Sequence, residues 1–388
     1  MDTTLIATTD GKTNGRREAT RFGIAVGLLC LSITFLASLL GHREGNDYTT
    51  FGTLWASGHA AINGLNPYAG YAETYQNDYS QFGTTATFPD VNLNPPWTLP
   101  LIEGLSRFSL KRFTLVWTLL NGACFFASCI LLIVQYPQLE GRQVIWFSLC
   151  TPTIMTLASG QVYGWGFLAA VLAWMFHRDG RLAAAGVAAG FLVALRPTMV
   201  PWLILLVLAN HRKVAAVAAA TIFTLYLLPL AIYGPAVYVE WFHAFQGDLH
   251  WLHPLDIAFM PLFARYHLPH LGMALAVLFG VTGCWWAVRK TPDFSTTSGV
   301  ALCLGILCAP LAWFHYILFP APFFMTRRWT ALSATGACLF LIITLFIPAG
   351  IQGVVYLVGT VLILCSFLSF RHADFALRNS ASDASTTV

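Results

Sequence analysis

Residues Leu182–Lys213 read LAAAGVAAGFLVALRPTMVPWLILLVLANHRK, and the fold class follows from them. Two apolar runs, 182–195 and 198–210, flank a single Arg196-Pro197 step, and the second run stops at His211, Arg212 and Lys213. An amphipathic helix of a soluble domain would carry charge along one face; neither run carries any. Such runs suit hydrocarbon, where every backbone amide and carbonyl must pair inside the segment or in a closed barrel. Barrel strands alternate in hydrophobicity and these runs do not, so helices are predicted. By the positive-inside rule the His-Arg-Lys end is cytoplasmic, which leaves Arg196 at the outer turn.

The same grammar extends in both directions. Of 388 residues, 57% are hydrophobic and 10% charged, against about 25% charged in soluble domains. Apolar runs occupy 22–40, 113–135, 143–158, 162–177, 182–195, 198–210, 214–233, 270–288, 299–314, 316–326, 330–347 and 351–370. Basic residues follow or join them at Arg178 and Arg181, at 211–213, at Arg289 and Lys290, at Arg327 and Arg328, and at Arg371. All five clusters become cytoplasmic if the N-terminus is cytoplasmic and the further apolar piece 95–105 does not cross. The expectation is therefore an all-α polytopic membrane protein with twelve spans and both termini cytoplasmic, 95–105 being a re-entrant or interfacial helix. Residues 1–21 form a cytoplasmic tail, 22–370 the membrane domain, and 371–388 a polar, disordered cytoplasmic tail. Arg16, Arg17 and Arg21 precede an apolar stretch with no small-residue cleavage site, so 22–40 reads as an uncleaved first span.

Two long extracytoplasmic loops result, 41–112 and 233–269, and any chemistry is expected on that face. All nine cysteines fall in apolar runs, which argues against a disulfide framework or a cysteine zinc site. The net charge of +4 is spread over span ends and is a topology signal, not a nucleic-acid footprint. The first loop opens with a helical pattern of Phe51, Leu54, Trp55, Ala61 and Ile62, closed by Gly64, which suits a membrane surface. Asp47 precedes it and has two readings, a helix N-cap or a general base near the outer surface. Arg196, an ionisable group inside apolar sequence, is a functional candidate by default: either it snorkels to headgroups or it clamps a lipid-borne phosphate. His243, His250, His253, Asp248, Asp256 and Arg265 stand among aromatics in the second loop, with no metal-binding spacing.

The ordered features Asp47-Tyr48, Gly64-Leu65-Asn66-Pro67-Tyr68, Asn94-Pro95-Pro96, Gly160-Gln161, Arg196-Pro197 and Ala309–Tyr316 together resemble the GT-C glycosyltransferases. The resemblance runs over 22–330 and is nearest to the polyprenol-phosphate-mannose-dependent α-mannosyltransferases of phosphatidylinositol mannoside synthesis. It implies transfer of a hexose, mannose first, from a polyprenyl-phosphate donor to a glycolipid or glycan acceptor at the extracytoplasmic face of the inner (plasma) membrane. Asp47 would be the catalytic base of an inverting displacement, and Arg196 and His315 would bind the donor phosphate. Tyr48, His59, Asn66, Tyr68, Asn94, Gln161, Tyr316 and Arg265 would line the substrate site. No metal or other cofactor is implied. The sequence departs from the pattern at Asn94, where an aromatic residue often precedes the prolines, and at Arg196, where lysine is usual. A transporter of a lipid-linked sugar is the competing reading; such proteins often show repeated halves, and no internal repeat is visible.

Overall fold

The computed structural model describes residues 4–43, 49–69, 91–136, 139–159, 161–248 and 255–369. Among them the fold is helical, with no strand beyond two isolated bridges. In chain order the helices are α1 (Thr4–Arg43), α2 (Thr49–Ile62), α3 (Leu99–Ser106), α4 (Leu110–Gln135), α5 (Gly141–Leu149), α6 (Thr151–Ser159), α7 (Tyr163–Arg178), α8 (Leu182–Leu195) and α9 (Val200–Leu208). After these come α10 (Arg212–Tyr233), α11 (Ala236–Asp248), α12 (Phe259–Arg265), α13 (Pro269–Lys290), α14 (Phe294–Leu307), α15 (Ala321–Met325), α16 (Ala331–Cys338) and α17 (Ala349–Leu368).

Among the described residues five segments are long and apolar enough to cross a membrane: Thr20–Leu40, Leu110–Gln135, Arg212–Tyr233, Pro269–Lys290 and Ile351–Leu368. They coincide with five of the twelve predicted runs. Helices α8, α9 and α14 are apolar but shorter. The count of twelve spanning helices is thus not reproduced. Run 316–326 holds the end of a 3-10 helix at Phe314–Leu318 and the five-residue α15, the latter roughly 8 Å long at 1.5 Å per residue, and run 330–347 holds the eight-residue α16 and a 3-10 turn at Ile342–Phe346. Run 143–158 breaks at Cys150, before Pro152. Irregular backbone at such depth needs partners within the protein, and the two broken runs supply each other. The Thr151 amide donates to the Phe340 carbonyl (2.7 Å), and the Thr151 hydroxyl pairs with Thr344 (3.0 Å), which meets the Tyr356 hydroxyl at 2.7 Å.

Segment 95–105 becomes a 3-10 turn at Pro96–Thr98 followed by α3, too short to cross, as expected. Helix α2 closes at Gly64, whose φ of +68° fits a glycine C-terminal cap. Its apolar face, expected to meet a membrane surface, is instead buried: Phe51, Leu54 and Trp55 pack with Ile102, Phe113 and Trp117 of α3 and α4. Packing inside the bundle relies on small residues. A Cβ added at Gly190 would lie 2.5 Å from the Ala218 carbonyl oxygen, and one at Gly186 2.7 Å from that of Val214, so α8 and α10 touch through their backbones.

The helices run between two distinct ends. At one, Arg178 binds the Gln135 side chain (2.6 Å), Gln143 donates to the Arg327 carbonyl (2.8 Å), His211 meets the Pro292 carbonyl (3.1 Å), and Arg327 faces Asp293 (4.0 Å). Basic residues that the sequence assigned to one face are therefore joined at one end of the bundle. The other end is formed by the start of α7, the end of α8, residues 91–99 and α11.

Candidate active site

Arg196 stands where α8 stops. Proline at the next position disfavours helical backbone at the residue before it, and Arg196 has left the helix at φ −136°, ψ 89°. The cation sits just beyond a helix C-terminus, the end whose dipole favours positive charge. Its side chain is buried. Nη1 donates to Asn94 Oδ1 (2.9 Å) and to the Leu195 carbonyl (3.3 Å). Its guanidinium carbon lies 5.1 Å from the Tyr163 ring centre and 5.9 Å from that of Tyr316, within cation–π range. Among the described residues Nε has no hydrogen-bond partner and Arg196 enters no ion pair. The backbone beside it is held by Trp97 Nε1, which donates to the Ala194 carbonyl at 2.9 Å.

A cavity of about 360 Å³ opens against this cation. Asn92, Asn94, Gln161 and Thr198 give it polar walls; Tyr163, Trp241, Phe242, Phe245, Trp313 and Tyr316 give it aromatic ones. Thr53 and Leu54 of α2 close one side. Few polar groups on a largely aromatic surface is the usual build of a small-molecule site. Of the predicted residues, Arg196, Asn94, Gln161 and Tyr316 reach the cavity.

Others do not. The His315 ring stacks on Tyr163 at 4.9 Å, inclined by 10°, and on Phe314 at 4.0 Å, and it is buried behind the cavity wall. The reason is local geometry: Phe314–Leu318 is a 3-10 helix, with three residues per turn. Trp313 and Tyr316 therefore share the cavity face and His315 turns away from it. His59 lies against Trp55 at 4.2 Å, on the α2 surface. Asn66 is an exposed turn residue whose Oδ1 accepts from the Tyr68 amide (2.7 Å). Tyr68 is buried, and its hydroxyl donates to the Asn94 carbonyl (3.2 Å); burial, aided by nearby Tyr238 and Tyr233, pushes the phenol well above its ordinary value, which keeps it a donor. Arg265 reaches the Asp256 carbonyl (3.4 Å), away from the cavity. Asp47, Tyr48, Gly160, His250 and His253 lie outside the described residues.

Several wall residues carry no motif of their own. They are Tyr163, two positions after Gln161 at the start of α7, and Asn92, whose Oδ1 accepts from the Asn94 amide two positions on (3.0 Å). Asp256, one of several polar residues noticed in the second loop, braces the wall from behind. It is fully buried, and its Oδ1 accepts from the amides of Ala258 (3.2 Å) and Ala312 (3.0 Å). The Ile257 amide donates to the Ala312 carbonyl (2.9 Å), and Asp256 and Trp313 form an isolated antiparallel bridge.

No curated protein matches the chain. Residues 92–313, more than half of it, match Glycosyltransferase family 87, and the matched region begins at Asn92 and ends at Trp313, both on the cavity wall. The chain belongs to glycosyltransferase family 87 and is a membrane glycosyltransferase.

Proposed function

We propose that this enzyme moves a hexose, mannose in the first instance, from a polyprenyl-phosphate sugar to a hydroxyl of a glycolipid or glycan, on the extracytoplasmic face. The observation that carries the reading is Arg196: a buried guanidinium, without a carboxylate partner among the described residues, beside an aromatic cavity. An unpaired buried charge costs several kcal/mol, and an anionic substrate group would offset that cost. The planar fork of arginine matches a phosphate well, and the aromatic walls suit the faces of a sugar.

In the reaction the acceptor oxygen forms a bond to the anomeric carbon as the bond to the phosphate oxygen breaks. Polyprenyl phosphate leaves with the electron pair, and Asp47, two positions before α2 in the sequence, takes the acceptor proton. A single displacement inverts the anomeric centre. Arg196 stabilises the charge that grows on the leaving phosphate, the part of the transition state where a fixed cation is most effective. His315 supports Tyr163 and the Trp313–Tyr316 wall, and acts on the donor through them.

The test is transfer of radiolabelled mannose from polyprenyl-phosphate mannose to membrane glycolipid by the purified protein, with Asp47→Asn and Arg196→Met alongside. Both variants should lose transfer, Asp47→Asn without loss of donor binding. Wild-type rates in Asp47→Asn refute the base, and unchanged donor affinity in Arg196→Met refutes the phosphate clamp.

A further inference from the structure

Three buried side chains, Asn94, Asn92 and Ser57, connect Arg196 to the Gly64–Tyr68 turn. Arg196 Nη1 donates to Asn94 Oδ1 (2.9 Å), Asn94 Nδ2 donates to Asn92 Oδ1 (3.0 Å), Asn92 Nδ2 donates to Ser57 Oγ (2.8 Å), and the Ser57 hydroxyl donates to the Pro67 carbonyl (2.7 Å). The Asn94 amide adds a second donor to Asn92 Oδ1 (3.0 Å). The relay has one polarity. Turning Asn94 over would set N–H against the guanidinium and oxygen against oxygen at Asn92, and turning Asn92 over would set its N–H groups against those of Asn94; a buried mismatch of that kind costs about 1–3 kcal/mol per orphaned group. Its far end is fixed as well. Asn66 closes the Gly64–Tyr68 turn on the Tyr68 amide, and Tyr68 returns to the Asn94 carbonyl.

The chemistry of position 94 is the informative part. A carboxylate there would hold the guanidinium through a stronger, charge-assisted bond, but it would also neutralise it. A carboxamide holds the group and leaves its charge intact. We infer that Asn94 and Asn92 are positioning residues: an uncharged relay anchored on the Gly64–Tyr68 turn aims Arg196 at the cavity while reserving its charge for an anionic substrate group. The inference rests on the phosphate reading of Arg196, and it unites three motifs of the sequence, 64–68, 94–96 and 196–197, in one device.

The test uses full-length protein in detergent and two probes, farnesyl phosphate and farnesol, followed by quenching of the tryptophans at the cavity (Trp241 and Trp313). Asn94→Asp should weaken farnesyl phosphate at least tenfold at neutral pH and leave farnesol unchanged. Its phosphate affinity should recover as acid protonates the new carboxyl, a response that loss of structure would not give. Asn92→Ala should weaken farnesyl phosphate in the wild-type background and have no further effect beside Arg196→Met. Wild-type phosphate affinity in Asn94→Asp, a parallel loss of farnesol, or an Asn92→Ala effect that persists without Arg196 overturns the inference. Wild-type phosphate affinity in Arg196→Met, or no binding of farnesyl phosphate by the unmodified protein, overturns the phosphate reading itself and the inference with it.

Discussion

Replacing Asp256 with alanine should loosen the Leu311–Tyr316 wall, and the structure gives the size of the effect. Oδ1 of Asp256 is the shared acceptor for two amides, those of Ala258 and Ala312, in residues that are both fully buried. Alanine leaves both N–H groups without that acceptor. At about 1–3 kcal/mol for each buried donor left unsatisfied, the loss is about 2–6 kcal/mol. Asparagine keeps an acceptor oxygen in place, so Asp256→Asn should retain most of the stability. The assay is thermal unfolding of the purified protein, read with donor KM and kcat. The expected order of stability is wild type, Asp256→Asn, Asp256→Ala. In the alanine variant donor KM should rise as well, because Trp313 and Tyr316 are carried by the segment that Asp256 secures. If Asp256→Ala is as stable as Asp256→Asn, and both lie within about 0.5 kcal/mol of wild type, the range of ordinary surface changes, then Asp256 does not brace the wall.

Three further outcomes are expected. Arg196→Met should lower kcat/KM for transfer by roughly 10²–10³-fold, the usual effect of removing a fixed group that stabilises transition-state charge, and Arg196→Lys should restore only part of it, since lysine keeps the charge but loses the planar fork; steady-state kinetics with labelled donor decide this. Gly190→Ala should destabilise the protein by about 1–3 kcal/mol, seen as a lower melting temperature, because the new methyl meets the Ala218 carbonyl oxygen at 2.5 Å. At the opposite end, burial opposes ionisation of Asp293, but hydrogen bonds from Thr296 and the charge of Arg327 outweigh it and hold the carboxyl below its ordinary value; it therefore stabilises the fold in full above about pH 4 and loses that contribution as pH falls through its lowered value. Asp293→Asn should remove that part of the acid sensitivity, a small part because the side chain is half exposed, as a melting-temperature series in falling pH would show.

Much of this protein is legible along the chain because hydrocarbon leaves few options. An apolar run of 20 or so residues reads as a helix without tertiary knowledge, and the five long helices lie where the runs lie. Arg196 is visible for the same reason: a lone charge between apolar runs stands out whatever surrounds it. What packs against what is less visible. Pro152 announces a break in run 143–158, but the sequence does not say that Phe340 and Thr344 will satisfy the freed groups. The pairing of Asn94 with Arg196 spans 102 positions and has no local signature. That His315 does not line the cavity is not legible either, because a motif records identity and order, whereas the 3-10 register decides which residue of Trp-Phe-His-Tyr turns toward it. A histidine on a helix such as His59 looks the same from the sequence whether it faces a substrate or leans on a tryptophan one turn earlier.

The aromatic wall also has a bearing on how the enzyme is made. Trp241 Nε1 donates to the Leu93 carbonyl (3.1 Å), and these two residues are 148 positions apart. A ribosome adds about 5–20 residues each second, so roughly 7–30 s pass between the synthesis of Leu93 and that of its partner. Throughout that interval the half-built pocket lacks α11 as its cover. A nascent chain arrested before residue 241 therefore has a cleft open on two sides, since α11 brings one aromatic wall and the later Trp313 and Tyr316 bring the last.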